Sequence, residues 1–207
     1  RAIIVKLRYR RLARNRVPDI ENTDERLSST SGSSVFKTLI ELIVIVAVAL
    51  GLAYLVTHYV AQPYEIPSGS MEDTIQINDR VLSEKLTYYT ASPKQGDIVT
   101  FIDTENPTRT LIKRVIATGG QTVDLRGGVV YVNGIALQEP YTEGKPSYEL
   151  DGNFTYPYTV PEGYIWVMGD NRTNSSDSRH FGAVPVSNVT GHAFMRYWPL
   201  NSIGLLE

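Results

Sequence analysis

From Leu42 to Val56 no charged or strongly polar side chain interrupts the chain, and with Thr57, His58, Tyr59 and Val60 the run reaches 19 residues. As a helix rising about 1.5 Å per residue it is about 28 Å long, against a hydrocarbon core of ~30 Å. A helix in a globular core keeps a polar face, so a stretch apolar all round reads as a transmembrane span. Lys37 and Glu41 stand at its entry and His58 with Tyr59 at its exit, where polar tips reach the interface.

Charge orients this span. Residues 1–34 hold eight basic side chains (Arg1, Lys6, Arg8, Arg10, Arg11, Arg14, Arg16, Arg26) and four acidic ones, so of the net charge of -2 the remaining 173 residues carry -6. A basic head predicts a cytoplasmic amino terminus and a body on the far side. A cleaved leader needs small residues at positions -3 and -1 of a cut. Tyr59-Val60-Ala61 puts a bulky ring at -3 and Ala47-Val48-Ala49 lies mid-span, so the segment is expected to stay as a signal anchor. The expected organisation is a basic cytoplasmic segment over 1–34 that closes in a flexible linker (Ser28 to Ser34), a transmembrane anchor over 35–60, and an extracytoplasmic β-rich body over 61–207 with an insertion around 141–161. The basic stretch, interleaved with Ile3, Ile4, Val5, Leu7 and Tyr9, also suits anionic lipid.

Beyond Ala61 short runs rich in Val, Ile and Tyr alternate with Gly, Pro, Asn and Asp, a β pattern without the helices that a parallel sheet requires. Strands are expected over 80–86, 97–103, 109–118, 122–125, 129–132, 135–138, 164–168 and 192–198, with Asn133-Gly134 as a two-residue hairpin turn. With no cysteine in the chain, disulfides, thiolate metal sites and a cysteine nucleophile are excluded, so any nucleophile carries oxygen or nitrogen.

Three clusters carry chemistry. Gly169 to Gly182 is the densest polar run, with Asp170, Arg172, Asp177 and Arg179 spaced for internal ion pairs. Pro67-Ser68-Gly69-Ser70-Met71 sets two hydroxyls in an irregular turn, yet a serine needs a base to react. Alternation along 109–118 puts Leu111, Lys113 and Val115 on one face and Ile112, Arg114 and Ile116 on the other. Buried there, Lys113 would lose hydration and with it its proton, leaving an amine able to accept one from serine. A Ser70–His180–Asp177 triad is the alternative base arrangement, and no His/Asp/Glu spacing of a metal-binding type occurs.

These clusters, in this order behind one anchor, resemble type I signal peptidase, the membrane-bound Ser-Lys endopeptidase of the bacterial leader peptidase family. The residues 67–71 are similar to its nucleophile box, Gly96-Asp97-Ile98-Val99 followed by Lys113-Arg114 to its next boxes, and Gly169 to Gly182 fits GDNR-x-x-S-x-DSR-x-x-G at every defined position. The resemblance implies a mainly β fold, an antiparallel β-sheet catalytic domain (signal peptidase/LexA-like) with one N-terminal transmembrane helix. It implies Ser70 as nucleophile, Lys113 as general base, and Ser68 with the Ser70 N–H as oxyanion donors. It further implies Ser175 aiming the lysine, and Asp177 with Arg179, supported by Asp170 and Arg172, holding the Ser175 loop. Implied partners are signal peptides of exported preproteins, membrane lipid and the export translocon, with no nucleic acid, metal or organic cofactor. Ile66 and the strand before Lys113 are the expected pocket lining. Asp73 stands where the family often has Pro, which would relax the turn and bring a charge towards Lys113. Two other readings use the same residues: a self-cleaving Ser-Lys protease of the repressor type, and a membrane-tethered β binding domain in which Ser70 and Lys113 are ordinary surface residues.

Overall fold

The computed structural model describes residues 24–152 and 154–206; the basic stretch at 1–16 lies outside them. The chain divides into two compact units, Arg1–Gly51 and Leu52–Glu207. Helix α1 (Asp24–Leu55) leads into one π-helical turn at Val56–Val60, and Ser34–Val60 is long and apolar enough to cross a membrane, with its side chains exposed. The expected linker at Ser28 to Ser34 is helical instead. Extending an established helix avoids the cost of nucleation, and Ser, Thr and Gly forfeit only about 0.5–1 kcal/mol each against better formers.

The second unit is built from antiparallel strands, as a β pattern with short punctuated runs requires. One sheet takes β1 (Ala61–Glu65), β2 (Arg80–Glu84), β11 (Val189–Trp198), β3 (Ile98–Ile102), β4 (Thr110–Thr118), β9 (Tyr164–Met168) and β10 (Val184–Pro185) in that spatial order, with β12 (Gly204–Leu205) paired to β11. A smaller sheet runs β7 (Ile135–Ala136), β6 (Val129–Val132), β5 (Thr122–Arg126), β8 (Tyr158–Thr159). All eight expected strands form: those at 129–132 and 164–168 with the expected bounds, those expected at 122–125 and 192–198 longer, and the other four shorter. Asn133 and Gly134 both take positive φ, 52° and 79°, as a type I′ turn demands.

β1 was not expected, because Pro63 interrupts its pattern; the strand lies at the sheet edge, where a missing N–H is tolerated. The segment 141–161 is no appendage: β8 joins the small sheet, and Phe154, Tyr156 and Tyr158 surround Trp166 with ring centroids 5.8, 6.1 and 4.8 Å away. That aromatic group closes one core with Ile116, Val123 and Val130. A second core holds Ile66, Met71, Ile75 and Val81, and a third Val99, Phe101, Val115 and Val167. Strand β4 feeds all three: Ile116 enters the first, Ile112 packs on the second, and Leu111 with Val115 belongs to the third. Lys113 sits at the middle of this strand.

Candidate active site

The turn after β1 is pinned from both ends. Ile66 and Met71 are buried in the second core, and between them a single 3-10 turn (Gly69–Met71) carries Ser70, only 8% exposed. Across the groove β4 pairs with β3 at Val99↔Lys113 and with β9 at Arg114↔Met168, so Lys113 projects from an interior strand and is 3% exposed. Its Nζ donates to Ser70 Oγ at 2.7 Å and to the Ile112 carbonyl at 3.1 Å. Both acceptors are neutral. Burial, with the positive Arg109 acting in the same direction, pulls the ammonium down to about 8 against the opposing pull of Asp177, Asp170 and Asp103.

Asn171 clamps the nucleophile turn: its backbone N–H donates to Ser70 O at 3.1 Å and its Nδ2 to Gly69 O at 2.9 Å. The Gly69 carbonyl and the Ser70 N–H belong to one trans peptide and point opposite ways, so holding the first aims the second. Gly169 allows this closeness. A Cβ there would stand 2.4 Å from Ser70 O and 2.3 Å from Ser175 Oγ, distances no side chain tolerates.

Within the 169–182 loop, Asp177 and Arg179 pair with each other, Nε to Oδ1 and Nη2 to Oδ2 both at 2.9 Å, and both side chains are buried. Asp177 also accepts the Gly169 N–H. With both oxygens occupied and His180 exposed, the Ser70–His180–Asp177 triad does not form. Asp170 and Arg172 do not pair with each other. Asp170 takes Arg114, Nε at 2.9 Å and Nη2 at 2.8 Å, together with the Thr74 hydroxyl. Arg172 reaches Glu139 through both terminal nitrogens, Ser147 Oγ at 2.6 Å and Gly169 O at 3.0 Å. Burial would lower the Arg172 pKa, but Glu139, with Tyr141 and Asp170, outweighs it and raises it.

Ser175 departs from expectation. Its Oγ is buried without a hydrogen-bond partner among the described residues and does not meet the Lys113 amine, which is already bonded to Ser70 and Ile112. Asp73 ion-pairs with Lys145, and the carboxylates that chiefly act on Lys113 are Asp177, Asp170 and Asp103. Ser68, exposed, lies on the rim of the cavity that holds Ser70 and Lys113. Ile66, Leu111 and Ile112 line an adjoining depression.

Sequence reasoning passed over a strap at 139–148 that packs against the residues supporting this site. Glu139 and Ser147 hold Arg172, the Tyr148 carbonyl accepts from Arg179, Lys145 ties Asp73, and the Tyr141 ring lies 4.0 Å from the Arg114 guanidinium and 5.8 Å from that of Arg172. Asn171 and Arg114 lay inside quoted motifs, which was the signal available for them. The strap carried none, because its partners lie between 25 and 72 residues away.

A family model described as "Signal peptidase, peptidase S26" matches residues 39–198. The "Probable signal peptidase I-2" of Synechocystis sp. is 40% identical over 195 residues, covering 90% of this chain and 85% of its own. The "Signal peptidase I" of Leptolyngbya laminosa is 40% identical, covering 81% and 84%. The crystal structure of a signal peptidase I from Enterococcus faecalis V583 aligns at 35% identity and TM-score 0.41, over 49% of this chain and 97% of that one.

Proposed function

The chain belongs to the signal peptidase family, peptidase S26, and from that premise we propose how its own residues carry the activity. The protein is a membrane-associated serine endopeptidase that cleaves signal peptides from exported preproteins. The observation carrying the mechanism is the 2.7 Å hydrogen bond between Lys113 Nζ and Ser70 Oγ at a buried amine whose hydrogen-bond acceptors are neutral.

Ser70 Oγ attacks the scissile carbonyl carbon while its proton passes to the neutral Lys113 amine. The carbonyl oxygen gains the charge and is met by the Ser70 N–H, aimed through Asn171, and by the Ser68 hydroxyl; one such donor is typically worth about 10²–10³ in rate. The Lys113 ammonium then gives its proton to the departing amine as the C–N bond breaks, and the same lysine activates water to release the acyl-serine. An ammonium has three N–H donors where Ile112 O accepts one, and Ser175 Oγ is the spare acceptor for the charged form. Asp177, Arg179, Asp170 and Arg172 hold the loop that presents these groups. The substrate lies as an added strand along β4, with small side chains in the depression lined by Ile66, Leu111 and Ile112.

The basic segment stays in the cytoplasm, α1 crosses the bilayer and residues 61–207 work on the far side, where lipid and the export translocon bring preproteins. Confinement of enzyme and substrate to one membrane raises their effective concentration. The test is cleavage of a preprotein by Ser70→Ala and Lys113→Ala in the full chain: each abolishes processing without lowering the melting temperature, and processing retained by either variant refutes the dyad.

A further inference from the structure

The turn joining β3 to β4 is organised around a buried carboxylate. Asp103 is 1% exposed in its side chain; Oδ1 accepts the Glu105 N–H at 3.0 Å and Oδ2 accepts Arg109 Nε at 2.7 Å and pairs with Nη2. Backbone bonds Asp103 N to Arg109 O and Arg109 N to Asn106 O, both 2.9 Å, close the same turn. A guanidinium has five N–H donors, and Asp103 engages one edge of it. The Arg109 side chain is 56% exposed, so a fork held on one edge by a buried anion offers its remaining donors outward. Its placement is not peripheral: Arg109 immediately precedes β4, and with Leu111 and Lys113 it lines the cavity that contains Ser70, together with the exposed Asn174 and Ser176.

The cavity differs in character from its neighbour. Leu111 borders both: on one side Tyr64, Ile66, Pro67 and Ile112, with Glu65, Thr100 and Thr110 among them, line a mostly apolar depression, and on the other Ser68, Ser70, Ser176, Asn174 and Arg109 add hydroxyls, an amide and a guanidinium to the lining. On the reading above, the apolar side takes the signal peptide, so a strand that passes Ser70 continues across the polar side. We propose that Arg109, with Asn174 and Ser176, forms a subsite for the first residues after the cleaved bond, the new amino terminus of the released protein, and selects acidic over basic side chains there. This inference rests on the signal-peptidase reading of the site. Arg109 acts as a specificity-determining residue; Asp103 is a positioning residue that keeps the fork turned to the cavity.

The test compares full-length enzyme with Arg109→Gln and Arg109→Lys on one preprotein-derived peptide carrying Asp, Asn or Lys at the first or second residue past the cleaved bond. The wild type is expected to favour Asp over Lys by about tenfold in kcat/KM, shrinking in high salt; Arg109→Gln brings the ratio within about twofold, and Arg109→Lys restores part of it. Any effect of Arg109 on the protonation of Lys113 scales all peptides alike and leaves the ratio untouched. A wild-type ratio near one, or a ratio unchanged in Arg109→Gln, overturns the subsite and leaves the protease reading standing. Failure of the wild type to cleave any of the peptides overturns both.

Discussion

Among the described residues four cations lie deep in the β unit, and they occupy two kinds of place. Lys113 on the groove floor is 3% exposed, while Arg114, Arg172 and Arg179 behind it are 2%, 1% and 1% exposed. The lysine meets a hydroxyl and a carbonyl; the arginines meet the carboxylates of Asp170, Glu139 and Asp177. Equal burial therefore has opposite consequences. A cation opposed by a carboxylate is compensated and becomes scaffold, whereas one opposed by neutral acceptors gives up its proton more readily and becomes a base. Residue type follows the same division, since a guanidinium stays protonated and a lysine amine does not have to.

The comparison breaks first at the lysine. Lys113→Arg keeps a buried cation and removes the base, so kcat/KM for a preprotein falls by about 10³-fold or more; activity above a tenth of wild type would show that a neutral amine is not needed. Next comes the scaffold. Asp177→Asn leaves Arg179 buried without its counterion and costs about 3–5 kcal/mol, read as a lower melting temperature of the full chain. Glu139→Gln, at the partly open edge of the cluster, costs about 1–3 kcal/mol and loosens the loop, lowering kcat more than it alters KM. An unchanged melting temperature in either variant would mean that the arginines need no carboxylate.

The sign reverses for stability at Lys113. Its folded pKa, about 8, lies below the ordinary lysine value of 10.5, so between those values the unfolded chain binds the extra proton, and at neutral pH burial of the ammonium opposes folding. Lys113→Met is therefore expected to stabilise by about 1–3 kcal/mol at pH 7, less the two lost hydrogen bonds. That gain fades as pH rises from about 8 towards 10.5; a gain that grows with pH contradicts a depressed pKa. The smallest effect is on the pH profile. Wild-type kcat/KM rises through about pH 8 as the amine is freed, and Arg109→Gln, which removes a charge that lowers the Lys113 pKa, moves the rise to higher pH. A profile that stays put or moves to lower pH separates Arg109 from the amine.

How much of this was legible depends on the distance over which each feature is specified. Lys113 among aliphatic neighbours was readable because strand alternation is local, and so was the Asn133-Gly134 turn, where both residues supply positive φ. The 169–182 loop was readable as a motif, and the pairing of Asp177 with Arg179 spans two residues. Asp170 and Arg172 were read as supports of that loop, yet their partners Arg114 and Glu139 lie 56 and 33 residues away. Asp73 was read as a charge near the lysine, and Lys145 draws it off. The short strands β8, β10 and β12 have no pattern of their own; two residues become a strand only where a neighbouring strand offers its ladder.

By itself the order of residues determined the apolar helix, the antiparallel β body and the three polar clusters, because periodicity, hydropathy and turn chemistry act between neighbours in the chain. Only the tertiary structure decided which carboxylate answers which arginine, that the 139–148 strap closes on the loop, and that the lysine is left with neutral acceptors. Electrostatic pairing at 3 Å depends on where distant strands come to lie, and a string of letters carries no record of that distance.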